Sequence, residues 1–405
     1  YKSFDYYSAG VNVLIDKFLP RRDWLNQLKW RGSWSVVGNP IPNTLFARQS
    51  YDFSNGTIST RPPLFDDPQP ETTTSFETGL DVWMFENKFN FDLTYYNSTL
   101  RNQFLYVTTA NGESKPVNTG KIRNYGLEFQ ASYRWNINKD WRWQTGFNIA
   151  WNDNRILETY KTESGAPYEV QMGPNAFKIK YVEGGRYGDI YVNSFARDEN
   201  GHIKINDAGN YENAVPVMAS GKYETKVGNM TSPVTLGWNN TFTWKNFTLY
   251  FLIDGRIGGK VMSLTEADLD LYGLSERSAQ DRLNGERVMQ NGKEYILKPL
   301  PDGSGNKVSV ENYYTTIGAL PMEDHVYNAT SLRMRDISLS YDMPNLFGKN
   351  QGMTAQFSVK NAFFIYKDSP VDPDISVSAA NGYSGIDCYS LPTTRSFALT
   401  LKFNF

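Results

Sequence analysis

Apolar and polar side chains alternate with a period of two in eleven separate stretches of this chain. Successive side chains of a β-strand point to opposite faces, so each stretch predicts a strand with one greasy and one wet side. Residues 125–135 put Tyr125, Leu127, Phe129, Ala131, Tyr133 and Trp135 on one face, opposite Gly126, Glu128, Gln130, Ser132 and Arg134. Residues 141–152 set Trp141, Trp143, Phe147, Ile149 and Trp151 against Arg142, Gln144, Gly146, Asn148 and Asn152. The closing residues set Phe397, Leu399, Leu401, Phe403 and Phe405 against Ser396, Ala398, Thr400, Lys402 and Asn404. The same rule predicts strands over 6–14, 26–37, 74–85, 88–107, 121–136, 140–157, 233–244, 247–258, 331–343, 352–364 and 394–405. In 331–343 the phase slips between Met334 and Ile337, which predicts a β-bulge at Arg335-Asp336.

The connections carry a second pattern. Short links around Asn87, 136–139, 245–246 and 344–351, with a moderate one at 15–25, alternate with long ones at 38–73, 108–120, 158–232, 259–330 and 365–393. An up-and-down barrel in an outer membrane has tight periplasmic turns and long external loops, so it must produce this order. Trp24, Trp83, Trp135, Trp141, Trp143 and Trp244 all fall near a short link, where an indole ring sits well at the level of lipid headgroups. The expected fold is all-β: an antiparallel up-and-down transmembrane β-barrel, spanning residues 1–405. Single-chain bacterial barrels have even strand numbers, and eleven is half of the ~22 of plugged transporters. The chain is therefore expected to be the C-terminal half of such a barrel. Tyr1 in place of an initiating Met, with no signal peptide, fits a mature or truncated product.

Composition narrows the alternatives. No apolar run approaches the ~18 residues of a membrane helix. Aromatic residues make up 15% of the chain, and the net charge of −2 provides no field for nucleic acid. The single cysteine, Cys388, excludes an intrachain disulfide and a multi-cysteine metal site. His202 and His325 lie in different long loops without ligand spacing and are expected at the surface. Asp198-Glu-Asn-Gly201 has His202 and Lys204 where a calcium loop needs oxygen donors, so Asn200-Gly201 is expected to be a type I′ turn. Gly303-Ser-Gly305 is a turn and not a nucleophile elbow, because no strand leads into it. Asp66-Asp67 and the cluster Glu266 to Asp270 are expected to be solvated, with Ser263 to Glu266 capping a helix over 264–283. No catalytic set, metal site or cofactor site is expected, and the chain is not expected to be an enzyme.

Several segments resemble the SusC/RagA-type TonB-dependent transporters of Bacteroidetes outer membranes. They are Leu28-Lys-Trp-Arg-Gly-Ser-Trp-Ser-Val-Val-Gly38, Asn124-Tyr-Gly-Leu-Glu128, Gly228-Asn-Met-Thr-Ser-Pro233, Leu332-Arg-Met-Arg-Asp-Ile-Ser-Leu-Ser-Tyr341, Asp372-Pro-Asp374 and Pro392-Thr-Thr-Arg-Ser-Phe397. The resemblance implies outer-membrane import of oligosaccharides or peptides together with a SusD-like surface lipoprotein, in a dimer of transporter–lipoprotein pairs. It also implies contact with lipid and lipopolysaccharide, and coupling to the TonB complex through a plug and N-terminal region that this sequence does not include. A porin, a metal-chelate receptor or a secreted soluble glycan-binding protein are the alternatives. A sugar ring needs aromatic faces beside polar groups, so the external loops nominate Arg186, Tyr187, Asp189, Tyr191, Asn312, Tyr313, Tyr314 and Tyr383 as ligand contacts.

Overall fold

Eleven long strands form one antiparallel sheet in which each strand pairs with the next in sequence. The computed structural model describes residues 5–40, 50–52, 59–61, 69–108, 114–162, 164–172, 176–320, 323–349, 351–378 and 385–404. The strands are β1 (Tyr7–Leu14), β2 (Leu25–Asn39), β3 (Glu71–Met84), β4 (Phe89–Arg101), β5 (Lys121–Asn136) and β6 (Trp141–Glu158), then β7 (Val234–Trp244), β8 (Phe247–Ile257), β9 (Ser331–Gly348), β10 (Gln351–Lys367) and β11 (Ser396–Asn404). Each matches a predicted strand. The expected 88–107 is divided: Asn102 adopts φ 56°, β4 stops at Arg101, and Phe104–Thr108 leaves to pair with Ser114–Asn118.

Register shows that the eleven patterns are one pattern. Trp143 lies opposite Phe242, which faces Leu249, then Leu339, Phe357 and Leu399 along one row. The alternate row runs Arg134, Gln144, Thr241, Tyr250, Ser338, Ser358 and Ala398. A slip of one residue anywhere would carry a whole strand's apolar set to the wrong face. Among the described residues no protein layer covers the apolar face: Phe397 is 65% exposed and Leu399 71%. A soluble sheet would bury this face against a second layer.

The bulge lies where the phase slips. Met334 pairs with Ile253 and Asp336 with Leu252, so Arg335 is the extra residue on β9. Consecutive Arg335 and Asp336 consequently share the polar face, and Ile337, Leu339 and Tyr341 return to the apolar one. On β10 the compensating residues are Asn361 and Ala362, with Asn361 at φ 52°.

At the short-turn end, Trp24, Trp83, Trp135, Trp141 and Trp244 are exposed. Trp141 stacks on Trp244 at 5.6 Å, Trp244 on Phe247 at 6.0 Å, and Phe247 meets Tyr341 at 4.5 Å, a belt across four strands. Trp143, one step further up, is part-buried and donates its indole N–H to Asn240 (3.0 Å). Most of the buried apolar core among the described residues lies elsewhere, in the long connections.

The faces can be tested by charge. Leu399→Arg in the full-length protein should cost ~2–4 kcal/mol near the membrane midplane and abolish the heat-modifiable folded band on a denaturing gel. Thr400→Arg, on the opposite face one residue away, should leave that band intact. Equal damage from both would reverse or erase the assignment.

Candidate functional site

The polar face turns apolar at its long-loop end. Ile122 continues the phase of Asn124, Gly126 and Glu128, and Ile156, directly opposite on β6, continues that of Asn152 and Asn154. Both isoleucines are buried by Phe177, Ile179, Tyr181, Ile190, Val192, Met262 and Ile386, all from long connections. A four-stranded sheet of Val170–Met172, Lys178–Tyr181, Asp189–Val192 and Thr225–Asn229 supplies most of this core. It docks on the rim through backbone bonds from Gly184 N–H to Ile156 O (2.8 Å) and from Ile156 N–H to Gly185 O (3.0 Å). The buried Asn154 amide oxygen accepts the Tyr187 N–H at 2.6 Å. The loops thus fold into a body seated on the inner edge of the sheet.

Connection 258–330 builds the second half of that body. Helices α1 (Leu264–Leu271), α2 (Glu276–Asn284) and α3 (Val310–Ala319) pack there, with Phe195, Ile203, Ala214, Leu300 and Val308 around Tyr313, Tyr314 and Ile317. Ser263 does cap α1, accepting the Glu266 N–H, but the single helix expected over 264–283 is two. Gly273 at φ 67° ends the first and Ser275 caps the second. α1 and α3 approach so closely that a Cβ on Gly318 would collide with the backbone of Leu271 and Ala267.

Two surface assignments are corrected by a buried ionic cluster. Asp270 and His325 are both fully buried, not solvated. The Asp270 carboxylate accepts from Ser275 Oγ (2.5 Å), from Arg277, and bonds His325 Nε2 at 2.9 Å. Burial alone would raise the Asp270 carboxyl, but these partners hold it below the usual carboxylate range. Periodicity cannot anticipate this, since the partners lie up to 55 residues apart. His202 is half-exposed, as expected, beside Asp198. The turn at Asn200-Gly201 is real but is not type I′, since only Gly201 (φ 84°) is left-handed. Asp198 holds it by accepting the Asn200 and His202 N–H groups at 2.9 Å. Asp302 accepts from Ser304 within the 302–306 turn and from the Ile203 N–H at 2.6 Å, joining the two long connections. Among the described residues no three His, Cys, Asp or Glu side chains are placed to hold a metal ion. Asp66 and Asp67 lie outside the described residues.

The nominated ligand contacts fall into two groups. Asp189 is fully buried and accepts from Arg186 N–H (2.9 Å) and Asn229 Nδ2 (3.0 Å) while pairing with Lys226. Asn312 spends its amide donors on the carbonyls of Tyr211, Glu212 and Ala214 at 3.0–3.2 Å. Tyr313 and Tyr314 are buried and donate to Asp324 and Asp281, each at 2.7 Å, with Lys298 over both rings. These four hold the loop body together. Arg186, Tyr187 and Tyr191 are half-buried: Arg186 pairs with Asp153 (2.6 Å), Tyr187 stacks on Tyr181 at 4.7 Å, and Lys180 lies 5.0 Å over Tyr191. Asp189 lies in the same half of the body as Arg186, Tyr187 and Tyr191, whereas Asn312, Tyr313 and Tyr314 lie in the other. Tyr383, with Asn381 and Gly382, lies outside the described residues.

An arrangement that alternation did not predict sits on the polar face below this body. Arg333 reaches Asp372 (2.6 Å) and Asp374 (3.2 Å), and Arg335 reaches Asp254 (2.7 Å), Asp374 (2.6 Å) and Asn361 (2.9 Å). Arg256 pairs with Asp374 and donates to Pro373 O. Three guanidinium groups meet three carboxylates, so the network is neutral and clamps connection 368–395 to the wall. The bulge at Arg335 is what brings it beside Arg333 on one face. Burial would raise the Asp372 carboxyl, yet Thr393 and Arg333 keep it below the ordinary range. The broken alternation at Arg335 was the one available signal. The same connection also adds Ile386–Asp387 beside Lys260–Ser263, where Ser263 donates to Asp387 at 2.7 Å.

A family model described as "TonB dependent receptor-like, beta-barrel" matches residues 1–362. The chain belongs to that family. Its members are outer-membrane β-barrels, so the apolar face meets lipid and the polar face the lumen. The chain is 23% identical to TonB-dependent receptor P3 of Formosa agariphila, aligning over 100% of this chain and 42% of that one. It is 24% identical to TonB-dependent receptor SusC of Bacteroides thetaiotaomicron, over 100% and 40%. Among solved structures it superposes on the RagAB peptide transporter with a TM-score of 0.70 at 17% identity, covering 99% of this chain and 43% of that one. The SusC/RagA resemblance in the sequence is thereby supported, and the chain spans about two-fifths of the relatives it matches.

Two outcomes follow from the loop chemistry. Asp374→Asn leaves guanidinium groups unmatched and should loosen connection 368–395 by about 1 kcal/mol, because these pairs are only partly buried. Limited proteolysis should then cut there faster while the folded barrel band persists. The Asp302 carboxyl is held at about 2 against an ordinary 3.8: partial burial would raise it, but bonds from Ser304 and Ile203 pull it down. A depressed carboxyl stabilises above the unfolded value and loses that contribution as pH falls through the folded one. Pepsin cleavage near the Asp302 turn should accelerate between about pH 4 and pH 2, and Asp302→Asn should flatten that rise.

Proposed function

We propose that this chain forms wall and external loops of a TonB-dependent importer of the SusC/RagA type, carrying oligosaccharides or peptides through the outer membrane. The observation that carries the reading is the pairing of a lipid-facing sheet with a polar lumen whose mouth is built from folded, clamped loops. A passive pore needs no such body, whereas selective capture of a large ligand needs a preorganised mouth. In this reading Arg186, Tyr187, Tyr191 and Tyr383 offer ligand contacts, and Asp189, Asn312, Tyr313 and Tyr314 keep the surrounding loops in place. A SusD-like surface lipoprotein covers the external body, the pairs associate as dimers, and the TonB complex drives release through the plug of the full-length protein.

Gentle detergent extraction of the full-length protein from its native membrane tests this. A stoichiometric surface lipoprotein should co-purify, and deleting it should reduce uptake of an oligosaccharide or peptide without affecting barrel assembly. A barrel that purifies as a lone trimer, or a chain released by salt without detergent, would overturn the reading.

A further inference from the structure

The lipid-facing side of the sheet is not evenly paved. A groove of about 510 Å³ crosses it, lined by Phe89, Tyr133, Phe147, Trp238, Leu236 and Ile253 around a floor at Ala131 and Thr145. Ala131 and Thr145 are small side chains between larger ones: Phe91 and Phe147 flank Ala131, and Tyr133 and the buried Asn240 flank Thr145. The walls are held. Trp238 donates its indole N–H to Thr145 Oγ1 (2.9 Å), and Thr145 donates to Asn239 O (3.2 Å), so both polar groups on the floor are spent within the protein. Trp238 also meets Phe251 edge-on at 5.8 Å, and Tyr133 meets Trp143 edge-on at 6.3 Å.

We propose that this groove is a binding site for one acyl chain of a membrane phospholipid, held far longer than the lipids around it. Position selects that occupant. The groove is continuous with the face that meets hydrocarbon, and Phe89, the first residue of β4, places one end of it at the short-turn rim beside the tryptophan belt. The surface the groove exposes is almost wholly apolar and offers little to water or a peptide backbone. Rings already fixed by hydrogen bonds and edge contacts lose little freedom when a chain settles between them, and dispersion then favours contact on three sides over contact on one. The inference rests on the lipid-facing assignment alone and is independent of what the barrel imports.

Lipid retention measures it directly. The full-length protein, purified in mild detergent from membranes of defined phospholipid content, should carry about one phospholipid through repeated detergent exchange, counted by native mass spectrometry. Ala131→Phe fills the floor and should lower that retention roughly tenfold, the loss of about two buried methylene contacts. Ala131→Leu should lower it partly, which keeps the test informative if the larger ring impairs folding. Ala355→Phe, on the same lipid face opposite Tyr341 and Leu401 but outside the groove, should retain lipid like the unmodified protein. No retained phospholipid in the unmodified protein, or equal loss from Ala131→Leu and Ala355→Phe, would overturn the proposal. So would a second copy of the chain found bound over this face in place of lipid.

Discussion

Hydrocarbon offers no hydrogen bonds, so every backbone N–H and C=O within it must find a partner in the protein. That requirement explains why eleven strands of up to 18 residues pair in strict sequence order, with antiparallel neighbours and tight links at one end. It also dictates what happens at the margins of the sheet. The outer edges of β1 and β11 have no partner strand among the described residues, and in a membrane both must be paired. Side chains follow from the backbone: once the ladder is complete, alternation decides which of them meet lipid and which meet the lumen.

Outside the hydrocarbon the rules reverse. The long connections can bury apolar side chains on one another, and they do so around Phe177, Ile179, Ile190 and Val192 and again around Tyr313, Tyr314 and Ile317. Ile122 and Ile156 mark the border, where lumen-facing positions of the wall become the foundation of the loop body. Among the described residues, buried charge comes with partners: Asp270 with Arg277 and His325, Asp189 with Lys226 and Asn229. Each would be costly alone, and each joins segments distant in sequence, so such clusters specify loop arrangement more than they add stability.

The wall clamp links the two regimes. Arg333 is almost wholly buried against the Phe364 ring at 3.8 Å, and with Arg335 and Arg256 it fixes Asp372 and Asp374 onto the lumenal face. A regular strand would have sent Arg335 to the side opposite Asp336. The irregular backbone at that position therefore serves the tertiary arrangement, and the external body is tied to the barrel below its rim as well as on it.

Strand positions, the two faces, the alternation of short and long links and the bulge at Arg335 were all readable in the chain. Period-two patterning is a local property, and lipid on one side with water on the other keeps it uninterrupted over long strands. Family membership was readable too, through the resemblance carried by segments such as Leu332 to Tyr341. The loops were not. Nothing local distinguishes a tyrosine that will stack in a core, like Tyr313, from one left half-open, like Tyr191, and His325 and Asp270 look like surface residues until they meet. Those outcomes depend on which distant segments pack together, a decision made by shape and by the pairing of buried charges once the wall has brought the connections side by side.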